Sequence, residues 1–318
     1  MRNYLDFEKP IFELKQKIQE LKSNECIDSS NTIKELKTKC EILTKDIFSN
    51  LGTWEKVLLA RHPDRPYSHD YISEITNTFL ELHGDRLFGD DKAIIGGIAE
   101  INRRNFIIIG EQKGRNIDEN ITRNFGMPHP EGYRKSLRLM KLAEKFNIPV
   151  LTFIDTAGAY PGLGAEERGQ AEAIAKNLRD MSILKVPIIS IVIGEGGSGG
   201  ALAIGVADTL AMLEYTIYSV ISPEGCASIL WRDASYAPQA AEALKLLPSD
   251  LKKLGIIDKI IKEPCGGAHS CPKKMAEIIK KFIIQEIKKL EKIEISKLIE
   301  KRYEKLKNIG KFKELKKN

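Results

Sequence analysis

The 318-residue sequence holds no apolar run near the roughly 18 residues that a membrane-spanning helix requires. Its longest, Phe106-Ile-Ile-Ile109 and Pro187-Ile-Ile-Ser-Ile-Val-Ile193, read as buried strands. A secretory leader is not expected, because Met1 to Glu8 carries acids where a leader needs an apolar segment; the expected location is the cytoplasm. Cysteine is sparse and odd in number, five in all (Cys26, Cys40, Cys226, Cys265, Cys271), which argues for free thiols in a reducing compartment. Cys265 and Cys271 flank His269, but structural zinc sites use tighter cysteine spacing and four ligands, so no metal is expected. Histidine is equally scarce, five residues, which leaves little material for side-chain acid–base catalysis.

What is present suits a globular chain: a hydrophobic share of 42% is enough to bury a sizeable core. The net charge of +6 is unevenly placed. Lys273 to Asn318 has 16 Lys and Arg against 7 Glu, a net +9, and leaves about −3 for the rest. This basic tail is either a solvated helical face or a surface for an acidic partner such as RNA.

Hydrophobic spacing divides the chain into three parts. Over residues 1–60, Ile11, Leu14, Ile18 and Leu21 recur at steps of three and four, as do Ile33, Leu36, Cys40, Leu43 and Ile47. These predict a helical hairpin around the polar turn Ser23 to Asn31, with a seam that needs another surface, for which a partner subunit is one candidate. Over 61–262 strands alternate with helices: strands at 94–101, 105–110, 149–154, 187–193, 209–214 and 216–221, helices at 131–147 and 165–184, and a short helix near 200–206. That alternation is the mark of an α/β layered domain. A further helix opens at Ser222-Pro-Glu-Gly225, with Ser222 as its cap and Pro223 in its first turn. Residues 263–318 return to helices, with stripes at Met275, Ile279, Phe282, Ile283, Ile287, Leu290 and at Leu298, Ile299, Tyr303, Leu306.

Two predicted strands run into glycine loops, Asp155-Thr-Ala-Gly158 and Gly194-Glu-Gly-Gly-Ser-Gly-Gly200. Glycine lets a ligand approach the main chain, and a following helix start offers free N–H groups to an anion. Five glycines in seven residues exceed what helix–strand packing asks for. Phosphate is excluded, since a phosphate loop closes on Lys and Ser/Thr whereas Ala201 and Leu202 follow here. Gly196-Gly-Ser198-Gly-Gly200 fits the G-x-S-x-G turn of a serine hydrolase or thioesterase, but His269 is the sole histidine downstream. The third possibility is an oxyanion hole for chemistry whose acid and base are not protein side chains.

Long ordered strings carry a family resemblance. Tyr4-Leu-Asp-Phe-Glu-Lys-Pro-Ile11, Arg61-His-Pro-Asp-Arg-Pro-Tyr67, Glu81-Leu-His-Gly-Asp-Arg86 and Asn124-Phe-Gly-Met-Pro-His-Pro-Glu-Gly-Tyr-Arg-Lys135 are four of them. Asp155 to Gly162, Ala165-Glu-Glu-Arg-Gly-Gln170, Gly194 to Gly205 and Ser222 to Trp231 are the others. Together, over about residues 4 to 290, they resemble the carboxyltransferase alpha subunits of bacterial-type acetyl-CoA carboxylases. The sequence departs from that pattern at Ala157, where many relatives have Pro, and at Cys265 and Cys271.

The resemblance implies a crotonase-type α/β fold of repeated ββα units. It implies transfer of the carboxyl group of carboxybiotin to acetyl-CoA, giving malonyl-CoA for fatty acid synthesis, with activity only beside a beta subunit. The partners it implies are that subunit in an α2β2 tetramer, the biotin carboxyl carrier protein and biotin carboxylase. By motif position, the backbone N–H groups of Gly200 and Ala201 would face the biotin ureido oxygen, Gly199 would allow close approach, and Gly158 and Ala159 would line the cleft. Lys113, Arg115, Arg123, Arg134 and Lys135 are spaced either as contacts to CoA phosphates or as subunit-interface ion pairs. Asp155 reads as a loop-fixing acceptor or a catalytic acid, and Glu166, Glu167 and Arg168 as a first helical turn.

Overall fold

The computed structural model describes residues 4–23 and 29–310. Among them, eight strands form one sheet: β1 (Thr78–Glu81), β2 (Ile94–Ile101), β3 (Arg104–Glu111), β4 (Val150–Thr156), β5 (Ile188–Gly197), β6 (Thr209–Leu213), β7 (Ile217–Ser219) and β8 (Lys259–Ile261). Their order is β1-β2-β3-β4-β5-β6-β8, with β7 paired to the end of β5. β1, β2 and β3 are antiparallel neighbours; from β3 onward every pairing is parallel. Parallel strands need crossovers, and the helices that supply them cover both faces, so β4 and β5 are buried at every residue.

Alternate side chains feed two cores. Leu151, Phe153, Ile189, Ile191 and Ile193 point to one face, where the helices Ser68–Ile75 and Pro272–Leu290 pack through Tyr71, Ile72, Ile75, Met275, Ile279, Ile283 and Ile287. Val150, Ile154, Ile188 and Val192 point to the other, against Tyr133, Leu139, Met140 and Ala143 of the helix Pro130–Phe146 and Ala173 and Met181 of Gln170–Ser182.

Several expectations shift. The predicted helix at 165–184 is two helices, Leu163–Glu167 and Gln170–Ser182, because Gly169 between them takes a left-handed φ of 81°. The short helix near 200–206 begins earlier, at Ser198. The segment 263–318 contributes to the core: besides the helix Pro272–Leu290, Arg302 on Ile295–Lys307 is 1% exposed, bonds the carbonyls of Met181, Leu184 and Val186, and pairs with Asp208. The hairpin helices Lys9–Ser23 and Ser29–Ser49 bury their seam on the chain itself, with Ile11, Ile18, Cys40 and Phe48 against Leu51, Leu59 and Tyr215. Most of the turn expected between them, with Cys26, and the last eight residues, 311–318, lie outside the described residues. No helix among the described residues is long and apolar enough to cross a membrane.

Candidate functional site

β4 and β5 pair in register up to Ile154 and Val192, after which Thr156 pairs with Gly196. Two extra residues in β5 therefore form a bulge at the root of the glycine loop, which frees ladder groups that must find other partners. Arg65 donates from Nε to the Ile193 carbonyl at 2.6 Å, and the Glu195 N–H donates to Asp155 Oδ1 at 2.9 Å. Arg65 is itself buried against Glu263, with guanidinium-to-carboxylate bonds of 2.6 and 3.2 Å.

The glycines recur every third residue because each meets the first loop. A Cβ on Gly194 would lie 2.3 Å from Asp155 Oδ1, one on Gly197 2.1 Å from the Ala157 carbonyl oxygen, and one on Gly200 2.6 Å from the Gly158 carbonyl carbon. The two loops thus pack main chain to main chain at Gly197 and Gly200, and main chain to the Asp155 carboxylate at Gly194. Gly199 differs: its Cβ would meet nothing nearer than Ile174, at 3.6 Å. Close packing of the two loops accounts for Gly194, Gly197 and Gly200 and not for Gly199.

The first loop is pinned from below. The Thr156 hydroxyl donates to the Gly126 and Gly158 carbonyls at 2.6 and 2.8 Å. Gln170 Nε2 donates to the carbonyls of Pro128 and Tyr160, and the Tyr160 ring stacks on His129 at 4.2 Å. In the second loop Ser198 takes a φ of 52° as the strand turns into the helix Ser198–Leu202. With Gly197 capping that helix, the N–H groups of Ser198, Gly199 and Gly200 have no carbonyl four residues back within it; Ala201 is the first that can reach one.

The basic residues expected to meet phosphate or a subunit interface are held within the chain. Lys113 Nζ donates to Asp155 Oδ1 at 2.6 Å. Arg134 donates to Asp85, Glu131 and the Arg168 carbonyl, and Lys135, 1% exposed, donates to Asp90 and the Asp91 carbonyl. Both lie on the helix Pro130–Phe146, which these bonds tie to the 85–91 loop. Arg115 bonds Asp70 and the Pro63 carbonyl and lies 3.9 Å over the Tyr67 ring, while Arg123 bonds the Lys92 carbonyl. Of the two roles left open for Asp155, the geometry gives the loop-fixing acceptor. Arg61, which the sequence did not single out, bridges Glu195 and Glu224 at 2.6 and 2.7 Å beside the loop.

Cys265 and Cys271, which flank His269 in sequence, are exposed free thiols, and His269 itself contacts Glu8. Its Nε2 lies 2.7 Å from Glu8 Oε1, and its ring stacks at 4.0 Å on His62, whose Nε2 lies 3.3 Å from Glu8 Oε2. These three residues could in principle gather a metal ion. The Asp64 N–H, however, donates to His62 Nδ1 at 3.0 Å. A neutral imidazole that accepts at Nδ1 keeps its proton on Nε2, so His62 is no ligand there, and the trio holds the N-terminal segment through the bond between His269 and Glu8 and the stacked rings. The same contacts occupy the histidine that a Ser198 hydrolase would need. A cavity of about 950 Å³ lies between hairpin and core, lined by Lys15, Ile18, Cys40 and Cys271 among others, away from the glycine loops.

The mixed sheet, parallel from β3 onward, with its paired glycine loops makes this a crotonase-type α/β protein. Two solved structures share that fold: transcarboxylase 12S, with methylmalonyl-coenzyme A bound, at TM-score 0.55, 20% identity, 69% of this chain and 42% of that one, and the beta subunit of Pseudomonas aeruginosa geranyl-CoA carboxylase at TM-score 0.55, 16% identity, 72% of this chain and 43% of that one. The chain thus spans about two fifths of those proteins. The family model described as acetyl co-enzyme A carboxylase carboxyltransferase-like matches residues 4–310, and the chain belongs to that family. The acetyl-coenzyme A carboxylase carboxyl transferase subunit alpha of Vibrio cholerae is 57% identical over 314 residues, 97% of this chain and 98% of that protein. The protein of the same name from Ruthia magnifica is 58% identical over 313 residues, 98% of this chain and 99% of that protein.

Proposed function

We propose that the chain is the alpha half of a two-subunit carboxyltransferase, and that its second glycine loop acts on carboxybiotin while a beta subunit holds acetyl-CoA. The product of the transfer is malonyl-CoA. Near-full-length identity to proteins named as this alpha subunit supports the activity. Biotin, delivered on a carrier protein that is in turn loaded by biotin carboxylase, supplies a carboxyl group and a ureido nitrogen that can accept the methyl proton. The residues present fit such a visitor: a Cβ on Gly199 would meet only Ile174, at an ordinary contact distance of 3.6 Å, so no main chain blocks approach to that glycine and the free N–H groups beside it.

On this reading Gly199 and Gly200 donate to the developing oxyanion. Ala201, the other donor expected by motif position, has a helical carbonyl within reach instead. Gly158 and Ala159 back the donors from the first loop, and Ser198 is a turn residue. The Gly199 space carries the proposal. The test is carboxyl transfer by the complex reconstituted with its beta subunit, as an α2β2 assembly. Gly199→Ala should keep its unfolding midpoint, because the chain has room for the methyl, and lose about 100-fold or more in turnover. Unchanged turnover would falsify the assignment.

A further inference from the structure

β3, β4 and β5 are neighbours, and their C-terminal ends carry Glu111, Asp155 and Glu195, with Lys113 just beyond β3. Asp155, which opens the first loop, is 2% exposed and bonds the second. Its Oδ1 takes the Glu195 N–H at 2.9 Å and the Lys113 ammonium at 2.6 Å, while its own N–H donates to Glu111 Oε2 at 3.0 Å. Glu111 is 0% exposed, and its Oε1 has no partner. We propose that Glu111, Lys113 and Asp155 form one positioning assembly for carboxyl transfer, in which a neutral Glu111 and a charged Lys113 hold the Asp155 carboxylate that sets the glycine loop.

The charge count supports a neutral Glu111. Asp155 has the Lys113 ammonium at 2.6 Å, while the other charges that act on the pair are spent elsewhere, Arg65 on Glu263 and the Glu195 carboxylate on Arg61. A second buried carboxylate without a cation would be costly, so that group stays protonated. Burial, with the Asp155 carboxylate adding to it, pushes the Glu111 carboxyl well above the usual carboxylate range. The ionisable groups that act on Glu111 or feel its charge are Asp155, Lys113, Tyr133 and Tyr218. A proton on Oε1 leaves Oε2 free to accept the Asp155 N–H.

The assembly acts at a distance. Asp155 fixes Glu195, and Gly197 and Gly200 then follow the first loop with no room to shift, since their Cβ positions are filled by its main chain. A small displacement of the Asp155 carboxylate therefore reaches the N–H groups of Gly199 and Gly200. Lys113 is only 17% exposed in its side chain and is spent on Asp155, which makes it a support of the loop rather than a contact to CoA phosphate.

This inference rests on the oxyanion role of Gly199 and Gly200, and the test separates the two. The reconstituted complex, isolated as the assembled species, is assayed with acetyl-CoA and the carboxylated carrier. Lys113→Met should lower kcat by about 100-fold, the scale of a misplaced catalytic group, and leave the KM for acetyl-CoA within about twofold. Lys113→Arg should restore most of the loss. Glu111→Leu should behave like Lys113→Met, whereas Glu111→Gln, neutral and still an acceptor, should recover to within about tenfold of the parent. If Lys113→Met does not assemble, Asp155→Asn, which keeps an acceptor oxygen but not the charge, takes its place with the same split between kcat and KM.

A rise in KM with kcat unchanged overturns the proposal in favour of a CoA contact. Glu111→Gln as impaired as Glu111→Leu overturns the neutral carboxyl. Lys113→Met with unchanged kcat, beside an inactive Gly199→Ala, defeats this inference alone; a fully active Gly199→Ala defeats the oxyanion role beneath it.

Discussion

Gly194 sits directly over Asp155: a methyl on the glycine would lie 2.3 Å from the Oδ1 that receives the Glu195 N–H at 2.9 Å. The first glycine of the loop is therefore fixed by the carboxylate beneath it, and the ligand has no part in that choice. Gly194→Ala should cost about 3 kcal/mol, because neither the buried carboxylate nor the strand can yield, and urea unfolding would measure it. A loss under about 1 kcal/mol would show that the bulge relaxes.

Gly200→Ala should separate from Gly199→Ala. Its methyl would meet the Gly158 carbonyl carbon at 2.6 Å and the Ala159 nitrogen at 2.7 Å, so the two loops must part. Both the unfolding midpoint and turnover should fall, where Gly199→Ala lowers turnover alone. Differential scanning calorimetry alongside the transfer assay checks the contrast.

Ser198→Gly should leave carboxyl transfer within about threefold, since glycine adopts the φ of 52° at no cost and the proposed mechanism gives the hydroxyl no task. Loss of turnover in this variant, together with labelling of the parent by a fluorophosphonate, would return the loop to hydrolase chemistry.

The Arg65–Glu263 pair is buried on both sides, at 1% and 0% side-chain exposure. Arg65→Met leaves Glu263 buried without a cation and the Ile193 carbonyl without its donor, and should destabilise the chain by about 3 to 5 kcal/mol. Adding Glu263→Gln should recover part of that, because the stranded charge is gone. Equal losses in the single and double variants would show that the Ile193 contact, not the charge, carries the effect.

Acid should loosen the contact between the 85–91 loop and the helix Pro130–Phe146. Burial alone would raise the Asp85 carboxyl, but the N–H groups of Leu87, Phe88 and Gly89 and the Arg134 guanidinium bring it down to about 2. A carboxyl lowered on folding stabilises the folded chain above its unfolded pKa, near 4, and that contribution, on the order of 2 kcal/mol, disappears as pH falls through about 2. Asp85→Asn should flatten this part of the stability–pH curve. A curve of the same slope in variant and parent would place the acid sensitivity elsewhere.

The sequence alone determined the local grammar of this protein. Apolar runs at 106–109 and 187–193 marked strands covered on both faces, steps of three and four marked the N-terminal hairpin, and Ser222 with Pro223 marked a helix start that the structure reproduces with a bond from the Gly225 N–H to Ser222 Oγ. Each of these signals lies within a few residues, where backbone geometry and burial period act directly. The dense glycines likewise located the loop, and the strings around them located the family.

What only the tertiary structure decided is which charges meet. Lys113 and Asp155 are 42 residues apart, Arg61 and Glu195 134, and Arg65 and Glu263 198. No local pattern records that such groups share one buried space, and an exposed basic residue and a buried paired one look alike in sequence. For the same reason Arg134 and Lys135 read equally as contacts to CoA phosphates or as subunit-interface ion pairs, until the fold brought Asp85 and Asp90 to them. The helix Pro272–Leu290 read as part of a basic tail because its charges are plain in sequence, whereas the sheet face that buries its other side exists only once the strands have assembled.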